Sequence, residues 1–278
     1  MSNSELSDAL STWKSWSIPL YQEPVVIGEL TAGNSHQSWR VKSGDHEFVV
    51  KCNNSSSRIL SQTLHQELLC QRVAAAEGLA PEVVFDCERF FVSRFIEAEV
   101  DALALNWLSV GSRLKKIHSL KIQLPSFDVV AHIERYWQQI NKLACSEVNL
   151  LDEVCSKMDL ILPSVRCVQS ELVLCHHDLN NSNVIFANTK PVFIDWEYAA
   201  PNHPYFDLAT LQLRLSKDDY QQVIVGYGMG EPEMVKMNQY LCLVRYLEVL
   251  WWAIIDAKST SFRKSFLQLQ IQLGCLPT

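Results

Sequence analysis

Three oxygen-bearing side chains stand at spacings that suit a single cation. Asp178 follows a β-type apolar run, Leu172-Val173-Leu174; Asn183 opens the next, Val184-Ile185-Phe186; Asp195 closes a third, Val192-Phe193-Ile194. A hairpin around Asn188-Thr189 separates Asn183 from Asp195, so both side chains return to one end of a small sheet. Carboxylate and amide oxygens converging there suit a hard cation such as Mg2+ with its bound phosphates. Taken singly, Asp and Asn are common turn residues. Their joint spacing, H-x-D-x4-N from His176 and then Ile194-Asp195, is what argues for a site. The run His176-His177-Asp178 also admits a metal-hydrolase reading, although no H-E-x-x-H segment or second ligand cluster accompanies it.

The elements that must hold these residues fall into two groups. The first third reads as strands with one helix, in the order β-β-β-α-β-β. Its segments are Val25-Val26-Ile27, Gln37 to Val41, Glu47 to Lys51, a helix from Ile59 to Ala76, Val83-Val84-Phe85 and Phe90-Phe91-Val92. Ser43-Gly44-Asp45 is a hairpin signal, and Gly78 followed by Pro81 stops the helix. Beyond about Ile96 the pattern turns helical: Leu105 to Ile117, segments near 129–145 and 147–161, and a long helix from Pro232 to Asp256. A mostly β front and a mostly α rear predict two lobes with a cleft, residues 1–96 and 97–278, in an α+β chain.

Composition narrows the partners. The 278 residues allow one large domain or two ordinary ones, and 48% hydrophobic with 20% charged residues excludes a disordered chain. With 24 basic against 31 acidic side chains the net charge is −7, and no Lys/Arg run stands out. This argues against nucleic acid or an anionic membrane as the main partner. The nine cysteines include no C-x-x-C pair and read as reduced, mostly buried thiols. Met1 to Glu5 has neither a basic start nor an apolar stretch, and no run nears the ~20 residues of a membrane span, so the expected location is the cytoplasm.

The pattern His176-x-Asp178-x4-Asn183 with Ile194-Asp195 resembles the catalytic and metal loops of the protein-kinase-like fold, in the form found in the aminoglycoside phosphotransferase and choline kinase superfamily. Ile194-Asp195-Trp196-Glu197-Tyr198-Ala199 with Phe206-Asp207-Leu208-Ala209 is similar to its choline, ethanolamine and thiamine kinase branch. The match extends to Lys51, Glu67 and Leu114-x2-Ile117-His118, spanning residues 25–256. The resemblance implies a small antiparallel β-sheet lobe with one main helix, a larger helical lobe, and ATP with Mg2+ as cofactors. It implies that Asp178 accepts the hydroxyl proton, that Asn183 and Asp195 hold the metal, and that Lys51, steadied by Glu67, holds the α/β-phosphates. Main-chain amides of Gly33, Asn34, Ser35 and His36 would touch phosphate; His176 and Asp207 would brace the loop.

Only residues 196–206 separate Asp195 from Asp207, too few for a peptide-docking segment, so the expected acceptor is the hydroxyl of a small molecule. Trp196, Tyr198 and Trp252, with Glu197, are the candidate acceptor contacts, because aromatic faces bind organic cations. Trp251 and Trp252 point about 100° apart on a helix, which predicts that one of them reaches the pocket. Choline kinases carry a carboxylate seven residues after the aspartate matching Asp207; here that position is Arg214, leaving Glu197, Asp256 and Asp128 as replacement anions. The expected acceptor is thiamine or a choline/ethanolamine-like amino alcohol, with an aminoglycoside or other small alcohol as the alternative. The non-enzyme alternative is a kinase-like ligand-binding module.

Overall fold

A computed structural model of the chain describes residues 3–30, 37–52, 63–98, 106–143, 148–187, 189–230 and 232–274. The front is a five-stranded antiparallel sheet made of β1 (Val25–Leu30), β2 (Gln37–Ser43), β3 (His46–Cys52), β4 (Val83–Asp86) and β5 (Phe90–Arg94), in spatial order β1-β2-β3-β5-β4. Gly44 makes the β2–β3 turn at φ 60°, a left-handed conformation that glycine adopts without strain. Along β3 the side chains alternate. Phe48, Val50 and Cys52 enter a core with Trp39, Val84 and Phe90, while Val49 and Lys51 point to the opposite face, toward the cleft.

Two helices flank this sheet, where the sequence pattern had led to an expectation of one. Helix α1 (Asn3–Ser11) and the turn after it cover the outer face with Leu6, Ala9 and Trp16. On the cleft side lies α2 (Leu64–Ala76); residues 59–62 of the expected helix are outside the described residues. Thr63 caps α2 reciprocally with Gln66, satisfying two N-terminal donors. Leu64, Leu68, Gln71 and Glu67 lie on its buried face, which is how a glutamate comes to be only 1% exposed.

The rear is helical: α3 (Trp107–Ser119), α4 (Val129–Lys142), α5 (Val148–Ile161), α6 (Tyr205–Arg214), α7 (Lys217–Tyr227), α8 (Met234–Asp256) and α9 (Thr260–Gly274). Helix α8 starts at Met234, so Pro232 precedes it rather than occupying its first turn. Helices α3 and α7 touch backbone to backbone. A Cβ on Gly111 would fall on the Val223 carbonyl, and one on Gly226 on the Leu108 carbonyl. Four short strands, β6 (Val173–Cys175), β7 (Val184–Ala187), β8 (Lys190–Phe193) and β9 (Ala200–Asn202), carry the polar loops. β7 and β8 form the expected hairpin, whereas β6 pairs with β9. Cys52, Cys70, Cys175 and Cys242 are buried, and Cys87 is exposed. Among the described residues no helix is long and apolar enough to cross a membrane.

Candidate active site

Lys51 ties the two halves of the molecule together. Its Nζ lies 2.5 Å from Glu67 Oε1 on α2 and 2.7 Å from Asp195 Oδ1, which follows β8. Burial alone would lower the lysine's pKa; the carboxylates of Asp195 and Glu67 outweigh it and hold the ammonium charged well above its ordinary range. Asp195 itself sits at φ 61°, a strained left-handed position that turns its side chain out of the strand end.

Asp178 and Asn183 form the facing pair. Asn183 donates through Nδ2 to the main-chain oxygen of Asp178 at 2.9 Å and to its Oδ2 at 2.8 Å, so that of this side chain only the amide oxygen could ligate a cation. Asn180 Nδ2 donates to Asp178 Oδ1 at 3.1 Å. Burial, countered by His176 and reinforced by the charges of Asp195 and Glu197, raises the pKa of Asp178. A carboxylate whose charge is opposed by its neighbours in this way fits a site completed by a divalent cation, and carboxylate and amide oxygens suit a hard cation such as Mg2+.

The loop carrying Asp178 is fixed from behind. Asp207, fully buried on α6, accepts from the main-chain N–H groups of His176 and His177, each at 2.8 Å, and lies 3.1 Å from His118 Nε2. Burial pushes the Asp207 carboxyl up, but hydrogen bonding and charge from His118, with the neighbouring histidines, win and hold it below its ordinary range. Tyr227 Oη is 2.8 Å from His118 Nδ1, so the tight α3–α7 crossing extends this brace to α7. His176 Nε2 donates to Ile194 O at 2.9 Å, linking the two polar loops. His177 has φ 67°; Nδ1 donates to Tyr198 O and Nε2 accepts from Asn202. With both ring nitrogens of His177 engaged, the pair His176-His177 does not present a metal-ligand set.

Two cavities meet at these residues. One, about 240 Å³, runs under the sheet past Val49, Lys51, Phe91, Phe95 and Ile96. The other, about 480 Å³, opens among α4, α6 and α8 and is walled by Phe127, Tyr136, Tyr198, Trp251 and Trp252. Both are lined by Ser182, Asn183, Asp195 and Glu197, and Asp178 lines the larger one.

Residues 26–237 match the phosphotransferase enzyme family. The chain belongs to that family. This phosphotransferase is 21% identical over 251 residues to the LicA homolog of Mycoplasma capricolum, across 87% of this chain and 95% of that one. Its fold superposes on the choline kinase LicA from Streptococcus pneumoniae with a TM-score of 0.70 at 18% identity, covering 89% of this chain and 94% of that chain. It superposes on a spectinomycin phosphotransferase in complex with ADP and spectinomycin at 0.65 and 14%, covering 95% and 93%. The α+β kinase-like fold and the expected phosphotransferase family are thereby shown. The chain is an enzyme of the small-molecule kinase class.

The structure corrects three expectations about the site. Trp196 is fully buried, donates to Phe193 O and packs on His176, so it supports the loop and does not wall the acceptor cavity. Trp251 and Trp252 both line that cavity, with ring centroids 4.7 Å apart and nearly perpendicular, because it wraps more than one face of α8. Asp128 and Asp256 are exposed and cap local main chain, leaving Glu197 as the expected anion that reaches the cavity. Gly33, Asn34, Ser35 and His36 lie outside the described residues. Sequence reasoning missed Glu248, a cavity residue that pairs with Arg214 at 2.8 Å. Its sole sequence signal was a carboxylate one helical turn before Trp252.

Proposed function

We propose that the enzyme moves the γ-phosphoryl group of ATP to the hydroxyl of a small amino alcohol of the choline or ethanolamine type. The observation that carries this reading is that the two cavities share Asn183, Asp195 and Glu197. A nucleotide in one and an alcohol in the other would meet there. The apolar walls under the sheet suit a base, and Lys51 at their end suits the α/β-phosphates. Asn183 and Asp195 would hold Mg2+, which when bound neutralises phosphate charge. Asp178 would orient the acceptor hydroxyl and take its proton late in transfer. Glu67 keeps Lys51 in place, while His176 and Asp207 hold the loop. The division into a nucleotide lobe, residues 1–96, and an acceptor lobe, residues 97–278, follows from the same reading.

An amino alcohol is favoured by six aromatic side chains and the carboxylates of Glu197 and Glu248 around the larger cavity, a lining that attracts an organic cation. Phosphorus NMR of the enzyme with Mg-ATP and a panel of choline, ethanolamine, thiamine and an aminoglycoside tests this directly. ADP and a phosphomonoester should appear in equal amounts with choline or ethanolamine. Transfer to the aminoglycoside or thiamine alone would replace the acceptor, and no transfer to any alcohol would sink the reading.

A further inference from the structure

One group in the acceptor cavity is held in a way that its surroundings do not require for folding alone. Glu248 on α8 is shared by two arginines: Oε2 lies 2.6 Å from Arg245 on its own helix, and Oε1 lies 2.8 Å from Arg214 at the end of α6. The two partners differ sharply in setting. The Arg245 side chain is 8% exposed and absent from the cavity wall, whereas that of Arg214 is 36% exposed and lines the cavity with Glu248, Trp251 and Trp252. Arg245 therefore fixes the carboxylate from the packed side. Arg214 covers it from the open side.

We propose that Glu248 is the specificity-determining anion for the acceptor's cationic group, and that Arg214 is a displaceable counter-ion occupying its place until the acceptor arrives. The inference rests on the amino-alcohol reading of the cavity. The physical case is one of unequal costs. An ion pair with a partly exposed arginine on a long side chain contributes little, so exchanging it is cheap. The carboxylate stays ordered throughout because Arg245 does not move. Trp251 and Trp252, three and four residues further along α8, bring ring faces to the same end of the cavity. A cation lodged there would gain both the carboxylate and the aromatic faces. Arg214, swung toward solvent, regains its hydration.

The test compares choline with dimethylbutanol, its uncharged isostere, by calorimetric binding, which needs no turnover. Arg214→Gln leaves the Glu248–Arg245 pair intact and is expected to fold. It should tighten choline by about threefold to tenfold and leave dimethylbutanol within about twofold. Glu248→Gln should weaken choline about tenfold or more and erase its advantage over the isostere. That variant strips Arg245 of its partner, so its thermal unfolding is read alongside, and the Arg214→Gln result decides if it fails to fold. Choline binding weakened or unchanged by Arg214→Gln would overturn the proposal. If the binding pattern appears as expected but no alcohol is phosphorylated, the failure lies with the proposed reaction and not with Glu248.

Discussion

The two cavities that meet at Asp195 are built by different means. Around the smaller cavity, the polar groups come from β3, α2 and the loop after β8, and are locked by a carboxylate–ammonium–carboxylate chain with Lys51 at its centre. Around the larger cavity, the walls come from α4, α6 and α8, and the charges form a second chain, Arg214–Glu248–Arg245. The first chain is a carboxylate pair around a cation, and its lysine is 10% exposed. The second inverts the signs around a glutamate that is 12% exposed and ends on an arginine that is 36% exposed, against 26% for the Asp195 end of the first. The more exposed an ion pair, the less it contributes and the more cheaply it is exchanged. Exchange is therefore cheapest at the Arg214 end, on the wall of the larger cavity.

Breaking each chain should expose that asymmetry. The largest effect belongs to Asp178→Asn at the junction: acceptor phosphorylation should fall by ~10²–10⁴-fold with nucleotide affinity nearly intact, read by steady-state kinetics beside nucleotide titration. Turnover retained at the parent rate would remove Asp178 from the chemistry. Next, Lys51→Met removes the ammonium from between Asp195 and the buried Glu67, so chemical unfolding should show a loss of about 3–5 kcal/mol together with lost nucleotide binding. A variant as stable as the parent would show that the buried chain contributes nothing net. On the open side, Trp252→Ala should raise the KM for choline about tenfold without altering nucleotide affinity, since an aromatic face is worth up to ~2 kcal/mol to a desolvated cation.

The smallest effect concerns acid. Burial, with the charges of Arg135 and His177, lowers His132 to about 3, and burial lowers His177 to about 4, against an ordinary 6.5. Unfolding therefore takes up protons below about pH 6.5, and stability present above that value is lost as pH falls toward the folded values. The slope should be roughly 1.4 kcal/mol per pH unit for each histidine. Burial also lowers His203 to about 4, so three histidines share the slope; urea unfolding between pH 7 and 5 measures it, and His132→Phe should flatten it by about a third. An unchanged slope in that variant would contradict the assignment.

The same contrast governs what the sequence discloses. The β-β-β-α-β-β order, the β7–β8 hairpin and the helical rear are legible because alternation, glycine turns and 3.6-residue periodicity are local signals. The gathering of Lys51 with Asp195 across 144 residues follows from motif order. Helix α1 escaped notice because it is only nine residues long, and its reason to exist is the outer surface of a sheet. The β6–β9 pairing joins strands of three residues, too short to announce a partner. Trp196 and Tyr198 looked alike in sequence, yet the left-handed turn at Asp195 sends the indole inward and leaves the phenol on the cavity wall. Arg214 and Glu248 are 34 residues apart on helices whose facing is a matter of packing, so their pairing is a property of the fold alone.

The central claim is that nucleotide and acceptor lie side by side across Asn183 and Asp195, and a relaxation measurement tests it without turnover. With Mn2+ in place of Mg2+ and ADP bound, the methyl protons of bound choline should relax strongly, the enhancement should require ADP, and Asp195→Asn should abolish it. Choline that binds in the presence of Mn-ADP yet shows no enhancement would place the two ligands apart and contradict the account.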